Sequence, residues 1–230
     1  MVRIVLDAGH GGHDPGAVAN GLREKDLTLA IVKRIGRMLG EYENAEVFYT
    51  RTDDRYLSLE ERAAIANKLK ADLLISVHIN AGGGTGFESY VYNGGVSSQT
   101  VALQNVLHGE ILVAMRQFGN ITDRGKKRAN YTVLRETKMP AVLTENLFID
   151  SNDAKYLKNE AFLKAVGEAH ARGVAKFLGL PQKAKSQPKQ KVSDEKLHRV
   201  QVGAFADPYN AKQLAEELKK KGYPAIVVEG

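Results

Sequence analysis

The 230 residues contain no cysteine and no tryptophan. Without thiols there can be no disulfide framework and no thiolate metal site, so any metal must be held by His, Asp or Glu. No apolar run approaches the ~18–20 residues needed to span a membrane, and no membrane insertion is expected. An excess of one charge is nearly lacking too. Lys and Arg number 33 against 27 Asp and Glu, a net charge of +6, and most of that excess falls in residues 181–230. So mild an excess favours anionic partners only weakly and is weakened further by salt. With no aromatic-rich basic ribbon beside it, nucleic acid is not an expected partner. A charged leader and a cleavage site are also missing, because the chain enters its first strand at Val2. The expectation is synthesis in the cytoplasm and release by some other route.

What is present reads as alternating strands and helices. Residues 2–6 form a short β-branched run closed by Asp-Ala-Gly-His-Gly-Gly, the pattern of a buried strand. Leu27, Ile31, Ile35 and Leu39 recur at four-residue spacing with Lys33, Arg34 and Arg37 between them, an amphipathic helix. Residues 46–51 read as a strand. Ser58 followed by Glu61 is a capping box opening the next helix. Residues 73–79 are a nearly continuous apolar strand, and a further strand surrounds Phe87, Ser89 and Val91. Leu103, Leu107, Ile111 and Met115 mark a second long helix. Two more strands are expected at 132–135 and 141–145, then helices at 153–157 and 162–178. Strands apolar on both faces that alternate with helices predict a three-layer α/β/α domain around a largely parallel sheet. Residues 181–194, with two prolines, four lysines and no apolar period, read as a linker. After it, a strand over 198–205, a helix over 207–222 and a strand over 223–230 make a small βαβ tail, below the usual size for an independent core.

Ligand sites in such sheets form beyond the carboxyl ends of the strands. His10 follows the first strand, His78 closes the third and Glu145 ends the last. Glu24 precedes the first long helix, after a glycine-containing loop able to fold back over His10. Two imidazoles and one carboxylate make a His₂Glu set, a catalytic zinc arrangement with the fourth position left for water. Glu145, off the metal, would take the water's proton and pass it to a leaving amine. Other readings stand beside this one. His13 could pair with His10, and Glu24 could simply offset the dipole at a helix start. Gly11-Gly12 lacks the Gly-Lys-Ser/Thr of a phosphate loop. Gly82–Gly86 and residues 122–130, with Arg124, Lys126, Lys127 and Arg128, are either groove walls or solvated loops.

Several motifs in register resemble one family. They are "LDAGHGGHDPGA" at 6–17, Glu24, "SVHINA" at 76–81, "YTVLRETKMPAVLTENLF" at 131–148 and "SND" at 151–153. Together they are similar to the zinc-dependent N-acetylmuramoyl-L-alanine amidases of the Amidase_3 type, over residues 2 to about 179. The resemblance implies a mixed six-stranded sheet, Zn²⁺ held by His10, Glu24 and His78, and Glu145 as the catalytic base. It implies peptidoglycan as substrate, both glycan strands and stem peptides, cut at the amide joining the lactyl group of N-acetylmuramic acid to L-alanine. Leu147, two residues after the base, is bulkier than the glycine often found there. The tail, "RVQVGAF" and "AKQLAEELKKKGYPAIVV", resembles about half of a SPOR domain, a module that binds peptide-free glycan strands. The expected division is a catalytic domain over 1–180, a linker over 181–194 and a partial SPOR-like segment over 195–230. An amidase with such a tail and no signal peptide resembles sporulation enzymes, and phage endolysins, released through holin pores, share the missing signal; action at the bacterial cell wall after lysis or holin release is expected. The competing expectations are a zinc exopeptidase, which would want a second metal with further ligands such as Asp7, Asp14 or Asp123, and a catalytically silent wall-binding protein.

Overall fold

A computed structural model describes residues 1–183, 201–223 and 225–228. The elements run β1 (Val2–Ala8), β2 (Val18–Ala19), β3 (Leu22–Arg23), α1 (Glu24–Leu39), β4 (Ala45–Tyr49), α2 (Leu59–Lys68), β5 (Leu73–Asn80) and β6 (Phe87–Tyr92). They continue α3 (Ser98–Arg116), β7 (Asp123–Ala129), α4 (Thr132–Arg135), β8 (Ala141–Phe148), α5 (Ala154–Leu157), α6 (Glu160–Leu178) and α7 (Pro208–Lys220). The chain divides into two compact units, Met1–Ala184 and Lys185–Gly230.

In the first unit six strands form one sheet in the order β4-β1-β5-β8-β6-β7. Four of the five strand pairs are parallel and β6–β8 is antiparallel. This is the mixed, largely parallel α/β/α sheet expected from the alternating pattern. One face is thickly covered. Helices α1, α3 and α6 pack there over Ile4, Leu6, Ile75, Val77 and Val142, all fully buried. The four-residue repeat Leu27, Ile31, Ile35 and Leu39 is the stripe that α1 lays on this core. His170 of α6 lies in the same core, bonded to Thr144 Oγ1 and the Val166 carbonyl, and burial lowers its pKa to about 4. The other face is thin. Among the described residues of this unit, α2 and the single-turn α4 cover it, over Val5, Leu74, Ala141 and Leu143. The expected capping box at Ser58 and Glu61 opens α2, with both reciprocal bonds made.

One expected strand and one expected loop need correction. Residues 132–135 form helix α4, not a strand. Val133 and Leu134 are adjacent and both buried in the thin-face cluster. A helical turn can send neighbours into one core, whereas a strand sends them to opposite faces. The sixth strand is instead β7, within the segment read as a wall or loop. Its sequence, DRGKKRA, has no apolar period because it is an edge strand paired on one side only, and charge on an edge strand discourages pairing with other chains.

The register of the last strand pair carries another departure. The β5–β8 pairing shifts between His78 and Asn80, and Leu147 adopts φ +72°. Through Glu145 the strand alternates regularly. After it the parity changes, so that Leu147 enters the thick-face core although Glu145 faces the thin side. A leucine in left-handed backbone costs on the order of 1–3 kcal/mol, here beside the site described below.

In the second unit α7 is present, with Asp207 capping it and Pro208 in its first turn. The strand expected over 198–205 is not formed in its described part, 201–205, nor is the one over 223–230 in its described part, 223 and 225–228. Of the expected linker, residues 181–183 are described. Gln182 forms a bridge with Tyr42, so the first unit extends slightly past 180. The remainder, 184–194, lies outside the described residues. Among the described residues no helix is long and apolar enough to cross a membrane.

Candidate metal centre and active site

Strands β1, β5 and β8 deliver His10, His78 and Glu145 to one end of the sheet, on its thin face. His78 and Glu145 are register partners across β5–β8. Glu24 reaches them from the first turn of α1. It is 4% exposed, with Oε2 accepting from the Ala17 amide and Oε1 accepting from the Ile79 amide. That Oε1 lies 3.1 Å from His10 Nε2 and 3.0 Å from His78 Nδ1. One donor atom from each of His10, Glu24 and His78 falls within 4.8 Å of the other two, and this is the one such group of acids and histidines among the described residues. Donors around a tetrahedral ion with bonds of ~2.0–2.1 Å stand roughly 3.3 Å apart. Two nitrogens and one carboxylate oxygen at these separations therefore fit a divalent ion.

The glycine-rich loop lets this happen. His10 itself has φ +60°. A Cβ on Gly9 would lie 2.4 Å from His78 Cε1, and one on Gly16 2.7 Å from both Glu24 Oε2 and His10 Cδ2. Glycine is needed at both places because the backbone packs directly against the His78, Glu24 and His10 side chains.

Electrostatics tie the three groups together. Burial disfavours a charged His10, but the Glu24 and Asp14 carboxylates outweigh it and raise its pKa to about 9. Burial opposes charge on His78 as well, and Glu24 and Glu145 outweigh it and raise its pKa. Burial would push Glu24 up, yet the two imidazoles hold it well below the ordinary carboxylate range. Glu145 behaves oppositely. Burial dominates, the attraction of His78 is weaker, and the pKa rises to about 7. Its Oε2 is buried without a hydrogen-bond partner, one of two such side-chain atoms among the described residues beside the neighbouring Asn146 Oδ1.

Other members of the site were not visible in the sequence as such. Asp14 was a possible ligand for a second metal. Its Oδ2 instead lies 2.8 Å from His10 Nδ1, which orients the ring and leaves Nε2 toward Glu24. Asp7 is fully buried and accepts from Arg62 Nη1, Thr50 Oγ1 and Ser76 Oγ at 2.7–2.9 Å. Arg62 also donates to the carbonyls of Ala8 and His10, bracing the loop that carries the first imidazole. Asp123 is bonded to His108. None of the three acids supplies a second metal group. His13 lies against Tyr56, its ring centroid 4.1 Å away, and not with the other imidazoles. A cavity of about 320 Å³ opens beside the centre, lined by His10, Asp14, His78, Arg62, Tyr56, Leu57, Leu59 and Val133 among others.

A family model for N-acetylmuramoyl-L-alanine amidase matches residues 4–176. The chain belongs to the N-acetylmuramoyl-L-alanine amidase family. Its activity is hydrolysis of the amide between N-acetylmuramic acid and L-alanine in peptidoglycan. A SPOR domain model matches residues 170–230. The amidase is 44% identical to the sporulation-specific N-acetylmuramoyl-L-alanine amidase of Bacillus subtilis over 230 residues, 99% of this chain and 85% of that protein. It is 50% identical to the endolysin of Bacillus phage SPP1 over 188 residues, 80% of this chain and 69% of that protein. Among solved structures, the catalytic domain of the amidase CwlV from Paenibacillus polymyxa superposes with a TM-score of 0.73 at 34% identity, covering 78% of this chain and 99% of that one.

Proposed function

We propose that the amidase works with zinc held by His10, Glu24 and His78, and with Glu145 as the general base and acid. The supporting observation is the pairing of the two features. Three donor atoms converge on one point, and next to them a carboxylate oxygen is buried with no partner of its own. Zinc in such a site acts as a Lewis acid and lowers the pKa of water to about 7.

The chain's own residues do the rest. Asp14 holds the Nδ1 proton of His10, fixing the tautomer that presents Nε2. Glu24 keeps its charge because two imidazoles face it. Glu145, with a pKa brought near neutrality by burial, takes a proton from the attacking water as its oxygen bonds to the lactyl carbonyl carbon. It returns that proton to the L-alanine nitrogen as the carbon–nitrogen bond breaks, leaving a lactyl carboxyl on the sugar and a free amine on the stem peptide. Glu145→Gln should retain the metal and lose at least a hundredfold in rate. The check is digestion of purified peptidoglycan with mass analysis of the products. Intact stem peptides with new L-alanine amino groups are expected from the wild type, and normal release by the variant would remove Glu145 from its role.

The domain reading goes with this. The first unit, which runs slightly past residue 180, is the catalytic domain, and residues 195–230 are a SPOR-like segment that contacts glycan. The match to the sporulation amidase runs the whole length of the chain, whereas the endolysin match spans 188 residues. This favours a wall-lytic role in sporulation over phage release. In either setting the enzyme acts at the bacterial cell wall.

A further inference from the structure

Next to the proposed base lies a charge cluster that the reaction does not use. Glu88 of β6 is the antiparallel register partner of Glu145, so the two carboxylates stand side by side on the thin face of the sheet. Glu88 is 2% exposed and saturated with donors. Asn80 Nδ2 and Tyr90 OH reach its Oε1 at 2.6 and 2.9 Å, while Arg124 Nε, at 2.8 Å, and Lys127 Nζ reach its Oε2. Two cations thus share one anion, and a net positive charge remains.

The arrangement of Arg124 decides what that charge can do. Its guanidinium lies over the Phe148 ring, 4.8 Å from the centroid. Only Nε is spent on Glu88. The two terminal nitrogens meet no hydrogen-bond partner among the described residues, and the side chain is one-third exposed. A guanidinium pinned at Nε and stacked on one face is a preorganised fork for a carboxylate. A cation needed only to neutralise Glu88 would not have its forked end left part-exposed and without a partner among the described residues.

We propose that Arg124, held by Glu88 and Phe148 and supported by Lys127, binds a carboxylate of the stem peptide on the far side of the scissile amide. The inference rests on the amidase reading above. Position along the sheet supplies the reach. His78, Glu145, Glu88 and Arg124 lie on successive strands β5, β8, β6 and β7. Neighbouring strands are about 4.8 Å apart, so β7 runs roughly 10 Å from β8. Extended peptide advances about 3.3–3.6 Å per residue, and Arg124 leans back toward β6. Its fork is therefore in reach of an acidic group one or two residues beyond L-alanine. The sugar side contributes no such group, because the lactyl carboxyl is tied up in the amide.

The test uses two soluble muramoyl peptides that differ only in whether the acidic residue after L-alanine carries a free carboxylate or a carboxamide. Wild-type enzyme should cleave the carboxylate form with about tenfold higher kcat/KM, mostly through KM. Arg124→Gln should bring the ratio close to one, and Arg124→Lys should restore part of it. Bound zinc measured on each variant separates a lost subsite from a lost fold. A wild-type ratio near one overturns the proposal while leaving the amidase reading intact, since both substrates would still be cut. So does a ratio unchanged in Arg124→Gln. Should that variant fail to fold, the wild-type ratio and its decline at high salt decide alone.

Discussion

The burial of Glu145, the proposed base, should cost stability, and the cost can be measured without any turnover. In the metal-free protein the carboxyl pKa rises from 4.5 to about 7. A group whose pKa is raised on folding stabilises the native state below its unfolded pKa. That contribution is lost as pH rises through the folded value. At ~1.4 kcal/mol per unit the full shift corresponds to ~3 kcal/mol. Relaxation around the ionised group reduces this, so about 1–3 kcal/mol is expected. Glu145→Gln keeps the shape of the neutral acid and removes the charge. Chelated variant and wild type should therefore be similar in stability at pH 4.5. The variant should gain progressively up to pH 7 and stay ahead by about 1–3 kcal/mol at pH 8. For a domain of this size that is roughly 2–12 °C in Tm. Urea unfolding in the presence of chelator, from pH 4.5 to 8.5, gives the curve. A variant no more stable than wild type at pH 8 would refute the claim that burial dominates the carboxyl, and with it the physical basis for its role as a base.

The same site makes other predictions. His10 must shed a proton to ligate, and its neighbours raise its pKa to about 9, so zinc affinity should fall by about tenfold per pH unit below that value. Chelator competition between pH 6 and 8 checks this, and a pH-independent affinity would contradict it. Gly9→Ala places a methyl 2.4–2.7 Å from three atoms of the His78 ring. It should lower bound zinc sharply while far-UV circular dichroism stays native, and normal metal content would show that the ring can give way. Arg62→Ala leaves Asp7 buried without its cation and the His10 carbonyl without a donor. The expected loss is about 3–5 kcal/mol, read by thermal unfolding. It should be greatest above pH 4, because Asp7 has a depressed pKa and stabilises the fold only while ionised.

Much of the architecture could be read in the chain before any coordinates. Leu27, Ile31, Ile35 and Leu39 repeat with the helical period because the thick face needs a continuous stripe. Ser58 and Glu61 cap α2 through bonds local to four residues. Segments whose partners lie nearby in sequence, or whose two faces are both apolar, carry their structure in their pattern. The failures have the opposite character. DRGKKRA looks like a loop because an edge strand takes its conformation from the neighbour it pairs with, here β6. Thr132–Arg135 has the residue types of a strand, and only the thin-face cluster makes Val133 and Leu134 point the same way.

The site divides along the same line. The residue types at His10, Glu24, His78 and Glu145 already pointed to metal-assisted hydrolysis, since ligand chemistry depends on which atoms are offered. The sequence could not say that Asp14 would steady an imidazole and not bind an ion, that Arg62 would brace a backbone carbonyl, or that Glu88 would stand beside Glu145. Those roles depend on distances between residues as many as 57 apart in the chain, set by the order β1-β5-β8-β6. Local pattern determined which elements form and which chemistry is available. Only the packed sheet decided which of the many acids and bases meet, because burial and Coulomb interaction act through space and not along the chain.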